Sequence, residues 1–508
     1  MNKLFSTMCI VALMSSPVWA QGFDSIEIVN PLNPQPFYSN TIAIPVKKAI
    51  LTHNITHNQY VYALERFMQS NIKSSYNDFK LLIETIEDSD YAYMQLAEKM
   101  ADLGFFNLSS LAASKISDKD ISEFLIDDIK VYYYPSKKLK VEDEIYLGEV
   151  FSNIAYNDQS LEATSELVKN TSLLEESDYA NYLVSFGYLK SNDMINANIY
   201  IDNAIKMNPQ NLNYKKLKAE ILSQSKKVKQ SLKLVEYIKA QNLYSTNFTR
   251  KVNSLEHYVL YKSQKNYSEK MYHLGYYYYF ENESAKAVKT LLSAVSNKKN
   301  VNKNVYGLLA RVYYDIQDFD KAQDMALKTI KIEKNHPAAL IVLGDLSYRE
   351  KDYKAALNYY RKAQNQIKNS SVALIKIAQT YEKLNKIKNA LQIYEKVLKT
   401  YNDCYVAYYK IGLFDKSKEN AYLKKSIAIN PNYKDAWIDL GRIAIERQNY
   451  KDAKKYLNIA NYIDENDFRY YYYQGVLAKK QGLESTNYFQ KSLLLNPDYE
   501  PAKEELSL

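Results

Sequence analysis

Small residues recur in this chain at two fixed distances, and this constrains its fold more than any other feature. One small residue is followed twelve positions later by another: Gly275 and Ala287, Ala310 and Ala322, Gly344 and Ala356, Ala378 and Ala390, Gly441 and Ala453. The first members step from 275 to 310, 344, 378 and Gly412, at intervals of 35, 34, 34 and 34 residues. Around them, from about residue 60 onward, apolar residues return every three to four positions in segments of 12–15 residues, the period of an amphipathic helix. Two antiparallel helices approach closely only where side chains are small, so each pair of small residues marks a helix–helix contact. Leu291, Tyr360, Tyr394 and Leu457 follow the second small residue by four and fill the space beside it. Ala294, Ala363 and Ala460 come three further on. A single helix pair cannot bury its own apolar face, so the pairs must stack.

Glycine and proline are scarce, 11 each in 508 residues, which predicts long helices joined by short turns. Pro209, Pro337, Pro431 and Pro497 fall at repeat ends, where a missing N–H is tolerated.

The segment Leu343-Gly344…Tyr348…Tyr353…Ala356…Tyr360…Ala363 resembles the tetratricopeptide repeat family. So does Trp437…Leu440-Gly441…Tyr450…Ala453…Leu457…Ala460. Asn208-Pro209, Asn430-Pro431 and Asn496-Pro497 resemble that family's turn between repeats. The resemblance implies an all-α fold, a right-handed superhelical solenoid of stacked antiparallel helix pairs, with a concave face lined by the first helix of each pair. Regular repeats are expected over 268–508, ending in a capping helix after Pro497, with the unit between Gly412 and Gly441 shortened near 415–420. Over 59–267 the repeats are degenerate. Ser185, Ala197, Ile201 and Ala204 make one unit and Ala219, Ser231, Val235 and Ile238 another, while Ala97, Gly104 and Ala113 suggest a third. Residues 124–177 and 246–267 read as helix without a repeat.

The N-terminus reads as an address. Met1–Lys3 is a short cationic stretch, Leu4 to Ser15 is mostly apolar, Pro17 breaks it, and Val18-Trp19-Ala20 fits a signal-peptidase site. Residues 1–20 are therefore expected to be a secretory signal and 21–58, with four prolines, an extended arm. The apolar stretch is shorter than a membrane span. Cys9 lies inside the signal, leaving Cys404 as the mature chain's one cysteine and no internal disulfide. An exported chain of this size without disulfides suits a bacterial envelope, periplasmic or secreted.

Chemistry is sparse. The net charge of +9 is spread over interleaved acids and bases rather than gathered in a stripe, which argues against nucleic acid as partner. Neither a zinc-protease His pair, a nucleophile elbow nor a phosphate loop is present. His53 and His57 lack a third ligand of matching spacing, His257, His273 and His336 read as isolated, and Cys404 reads as a buried thiol. No enzyme, cofactor or metal is expected.

Tyrosine is abundant, 50 residues, with runs at 132–134, 276–279 and 470–473. In the resembled family the concave face binds an extended or helical peptide. The corresponding positions here are Tyr272, Tyr276, Tyr279, Arg311, Tyr314, Tyr348, Arg349, Tyr409, Arg442 and Tyr472, with Asp345 and Gln379 beside them. Tyr and Arg are common binding anchors because they bury much area and still offer hydrogen bonds. The expected function is a cell-envelope scaffold holding a protein or peptide; the alternative is a polysaccharide-binding or export accessory whose tyrosines stack on sugar rings. The family's Lys/Asn clamp for a C-terminal carboxylate has Tyr or Ile at the matching places, which disfavours that ligand.

Overall fold

The structure, a computed structural model, describes residues 57–506 apart from connections at 87–89, 158, 242–245, 297–302, 368–370 and 402–403, together with two dipeptide strands upstream. The expected signal, most of the expected arm and His53 lie outside the described residues. Within the arm, Ile28–Val29 and Pro36–Phe37 pair antiparallel, with Ile28 opposite Phe37. From His57 onward every described element is a helix.

The helices run as hairpins. Tyr267–Phe280 pairs with Ser284–Ser296, Lys303–Asp315 with Phe319–Ile332, Pro337–Arg349 with Tyr353–Gln366, and Ser371–Lys383 with Ile387–Thr400. Tyr405–Phe414 then pairs with Glu419–Ile429, Lys434–Glu446 with Tyr450–Ile463, and Phe468–Lys480 with Thr486–Leu495. Glu500–Leu506 closes the stack against the last of these. The 405–429 pair has helices of 10 and 11 residues against the usual 13 and 14, which places the expected shortening.

The small residues sit where the helix axes cross. A methyl added to Gly275 would come within 2.5 Å of Leu291, one on Gly344 within 2.5 Å of Tyr360, and one on Gly441 within 2.7 Å of Leu457. These are the large residues that follow each pair, now seen capping the glycines. The turn inside most hairpins follows one rule. One residue is left-handed at Asn192, Lys226, Asn282, Gln317, Lys351, Asn385 and Gln448, with φ between 56° and 64°. Glycine usually fills such a helix C-terminus. Here most glycines are used for packing and polar residues take most of the turns, with glycine in that role at Gly104 and Gly482. The next residue often caps the second helix, as Asp193, Asp318, Asp352 and Asn449 do.

The degenerate half keeps the same geometry with one atom changed. Serine replaces one member of the small pair, and its hydroxyl donates to the carbonyl of the other. Ser185 Oγ reaches Ala197 O at 2.7 Å and Ser231 Oγ reaches Ala219 O at 2.6 Å. Ser75 Oγ reaches Ala63 O at 2.7 Å and Ser109 Oγ reaches Ala97 O at 2.6 Å. All four pairs are twelve apart. Ala97 is thus matched with Ser109, and Gly104 is a turn residue with φ of 83°. Thr246–Ser263 is a single 18-residue helix inserted between hairpins, packed against both Leu212–Gln224 and Tyr267–Phe280.

The stack also returns on itself. Lys119–Tyr132 packs against Glu419–Ile429, and one apolar core joins residues near 60–260 to residues near 374–477. Tyr91 Oη donates to Asn432 Oδ1 at 2.6 Å, Lys424 Nζ lies 2.6 Å from Asp118, and Lys455 Nζ lies 2.6 Å from Asp90.

Candidate functional site

The first helices of consecutive hairpins touch along the inner face, because the second helices lie outside them. Residues one turn off the hairpin contact therefore meet the next first helix. Arg311 shows the consequence. Its guanidinium pairs with Asp315 on its own helix at 2.5 Å and reaches Asp345 on the next first helix at 3.0 Å. Asp345 also accepts from Tyr360 Oη at 2.7 Å and lies 3.2 Å from Lys376 Nζ, on the helix after. Glu382 continues the line, taking Lys410 Nζ at 2.7 Å and the Tyr394 hydroxyl. Tyr409 Oη donates to Asp439 at 3.0 Å. Arg442 fans out to Asp439, Glu419 and Glu446 at 3.1, 2.6 and 2.7 Å. Arg469 then joins Asp435 and Asp467.

This ladder is a structural spine rather than a reactive centre. Burial raises the pKa of Asp315 and of Asp439, with Arg311 and Arg442 opposing it. Burial works against charge on Arg311, yet Asp315, Tyr279 and Asp345 raise its pKa well above the ordinary value. Such pairs add little net stability, because desolvation offsets attraction, but one partner without the other is costly. The ladder therefore fixes register between hairpins and pre-organises the inner face.

Five of the ten expected groove residues are consumed by this packing. Tyr272, Tyr276, Tyr279, Arg311 and Tyr409 are buried, Tyr276 and Arg311 to 1% exposure, and present no surface to a partner. Tyr279 Oη donates to Asp315 at 2.8 Å, and Tyr276 stacks on His257 with ring centroids 4.3 Å apart. Burial of Tyr272, Tyr276, Tyr279 and Tyr409 closes these four rings to a sugar as well as to a peptide. Tyr314, Tyr348, Arg442 and Tyr472 are half-buried and Arg349 is exposed, with its guanidinium 3.9 Å from the Phe319 ring centre. Gln379 is half-buried and Asp345 buried.

His257 and His273, expected to be isolated, meet: their Nδ1 atoms are 3.0 Å apart. Burial pushes both imidazoles down, His273 to about 4. His336 caps Pro337–Arg349 and bonds Asn304 at 2.7 Å. Cys404 is buried at the start of Tyr405–Phe414. Among the described residues no three His, Cys, Asp or Glu gather as metal ligands, and no helix is long and apolar enough to cross a membrane. The acidic members of the ladder, Asp315, Glu382 and Asp439, escaped sequence reasoning. Their signal was present: Arg311 and Asp345 are one repeat apart, and Asp315 is one helical turn from Arg311.

Residues 420–479 match the family model described as tetratricopeptide repeat, and residues 317–397 match the one described as anaphase-promoting complex, cyclosome, subunit 3. A TPR repeat-containing protein of Methanocaldococcus jannaschii is 27% identical over 249 residues, covering 43% of this chain and 42% of that protein. This chain thus spans less than half the length of that relative. Among solved structures, PilW, a widely conserved type IV pilus biogenesis factor, is 21% identical, with 40% of this chain and 98% of that one covered and a TM-score of 0.35. The Cut9–Hcn1 hetero-tetramer of the APC/C is 13% identical, with 92% and 98% covered and a TM-score of 0.44. Repeat spacing, hairpin packing and the family matches agree that the chain carries tetratricopeptide-type repeats.

Proposed function

We propose that this protein is an exported cell-envelope scaffold that holds a protein or peptide partner on the inner face of its C-terminal hairpins. The observation carrying this reading is the ladder from Arg311 to Arg469: it keeps successive first helices in fixed register while leaving Tyr348, Arg349 and Gln379 accessible beside it. A rigid face with amphipathic side chains at repeat spacing binds an extended chain with little ordering cost. Export rests on the first twenty residues, whose cationic, apolar and small-residue order is that of a cleaved signal.

Photo-crosslinking tests the surface. A benzophenone amino acid at Tyr348 or Gln379 is expected to capture a discrete protein from envelope extracts, whereas the same probe at exposed Lys354, on an outer helix, is not. Equal capture at all three positions refutes the inner-face reading. Fractionation with N-terminal sequencing tests export: the mature chain is expected to begin at Gln21, and an intact Met1 in the cytoplasm refutes it.

A further inference from the structure

Acids and bases are interleaved along most of the chain, but at one edge of the stack they are not. Leu212–Gln224 and Val228–Lys239 form one hairpin, Thr246–Ser263 and Tyr267–Phe280 the next, and Val228–Lys239 packs on Thr246–Ser263. Lys239 Nζ lies 2.6 Å from Glu256, and eleven residues along each antiparallel helix from that pair stand Val228 and Tyr267. The turns at 225–227 and 264–266 therefore sit side by side. Over 225–229 and 262–270 the charged residues are Lys226, Lys227, Lys229, Lys262, Lys265, Lys270 and Glu269, six bases against one acid. Lys270 is half-buried and the other five lysines are exposed, and among the described residues none of the six has a carboxylate within ion-pair distance. The turn before them is balanced, Lys190 against Asp193.

Aromatic rings hold two of these lysines. Lys262 Nζ lies 5.2 Å from the Tyr258 ring centre and 5.8 Å from that of Tyr261, and Lys270 Nζ lies 5.0 Å from the latter. Tyr267, between the two turns, is 45% exposed. Like charges gathered at one edge repel, and a surface of opposite charge relieves the repulsion. Three features choose that surface. The charges stand on turn tips at an edge, which meets a plane rather than enclosing a chain. All six are lysines, compact point charges suited to phosphate headgroups, whereas nucleic-acid recognition favours arginine. Tyrosine rings, apolar in body and polar at the tip, suit the headgroup level. No described helix is long and apolar enough to cross a bilayer, so the contact is with its surface. We propose that this edge docks on an anionic phospholipid bilayer, with Lys226, Lys227, Lys229 and Lys265 on headgroup phosphates and Tyr267 at the interface. The inference is independent of the inner-face reading of the C-terminal hairpins.

Co-sedimentation of the full chain with lipid vesicles tests it. The wild type is expected to pellet with phosphatidylcholine vesicles that contain phosphatidylglycerol and not with phosphatidylcholine alone, and added salt is expected to release it. Lys226→Gln with Lys227→Gln and Lys265→Gln is expected to weaken binding at least about tenfold. Glutamine already takes the same left-handed turn position at Gln317 and Gln448, so the backbone at 226 is kept. Lys383→Gln with Lys386→Gln and Lys388→Gln removes the same charge from another exposed turn and is expected to leave binding unchanged. No pelleting with the anionic vesicles, equal pelleting with the neutral ones, or equal loss in the two triple variants overturns the proposal. Oligoglutamate bound through Lys226, Lys227 and Lys265 while anionic vesicles are not bound overturns it in favour of an acidic peptide.

Discussion

Lys455 Nζ lies 2.6 Å from Asp90 Oδ2, and the two side chains, from opposite ends of the described chain, are 9% and 2% exposed. Lys455 also donates to Ser117, and Asp90 accepts from Ser117 N at 2.8 Å, so the pair sits in a satisfied polar knot. With Lys424–Asp118 and Tyr91–Asn432 it fastens the early helices to the late repeats. Removing one member leaves a buried charge alone. Lys455→Met is expected to destabilise by about 3 kcal/mol, and Lys455→Met with Asp90→Asn by clearly less. Urea denaturation measures the first effect. Small-angle scattering measures the second consequence, a larger radius of gyration in the single variant as the early helices detach.

Gly344 is predicted to be intolerant of even one methyl group, because its Cβ would lie 2.5 Å from the Tyr360 ring. Tyr360 cannot withdraw freely, since its hydroxyl holds the buried Asp345. Gly344→Ala is therefore expected to cost about 2–3 kcal/mol, read as a lower thermal midpoint with loss of cooperativity.

The turn residue Lys351 is exposed and left-handed, with φ of 64°. An L side chain pays about 1–2 kcal/mol there, partly offset by the extra freedom glycine has when unfolded. Lys351→Gly is expected to stabilise by about 0.5–1 kcal/mol, and Lys351→Val to destabilise, because a β-branched residue fits that region poorly. Paired melts of the two variants check the opposite signs.

Two buried sites contribute to the pH response with opposite signs. Burial raises Glu144 from 4.5 to about 7, although the Asn107 N–H donates to it at 2.8 Å. The folded state keeps this proton where the unfolded state has lost it. Stability from Glu144 is therefore full below about 4.5 and falls as pH rises towards 7. Glu144→Gln should remove that slope, raising stability at pH 8 by at most about 3 kcal/mol relative to the wild type. The histidines act oppositely. Burial holds His273 down to about 4 from 6.5, and the unfolded chain protonates first as pH falls, so stability declines between those values. His273→Gln should flatten the acid limb in denaturation curves taken across pH.

Sequence alone determined the helical hairpin, its repeat and its tight crossings. These are local and periodic: Gly344 and Ala356 declare a close approach because nothing larger fits, and Tyr360 declares what fills it. It also held the serine variant of the same contact, since Ala63 and Ser75 keep the twelve-residue distance. Tertiary structure decided which face of each first helix is available. Tyr276, Tyr279, Arg311 and Tyr409 looked like groove residues because helical periodicity places them off the hairpin contact. Only the approach of the neighbouring first helices buries them. The same holds for Lys455 with Asp90 and for His257 with His273. Side chains distant along the chain meet through the summed rotation of many hairpins, and the sequence of one hairpin does not encode that sum.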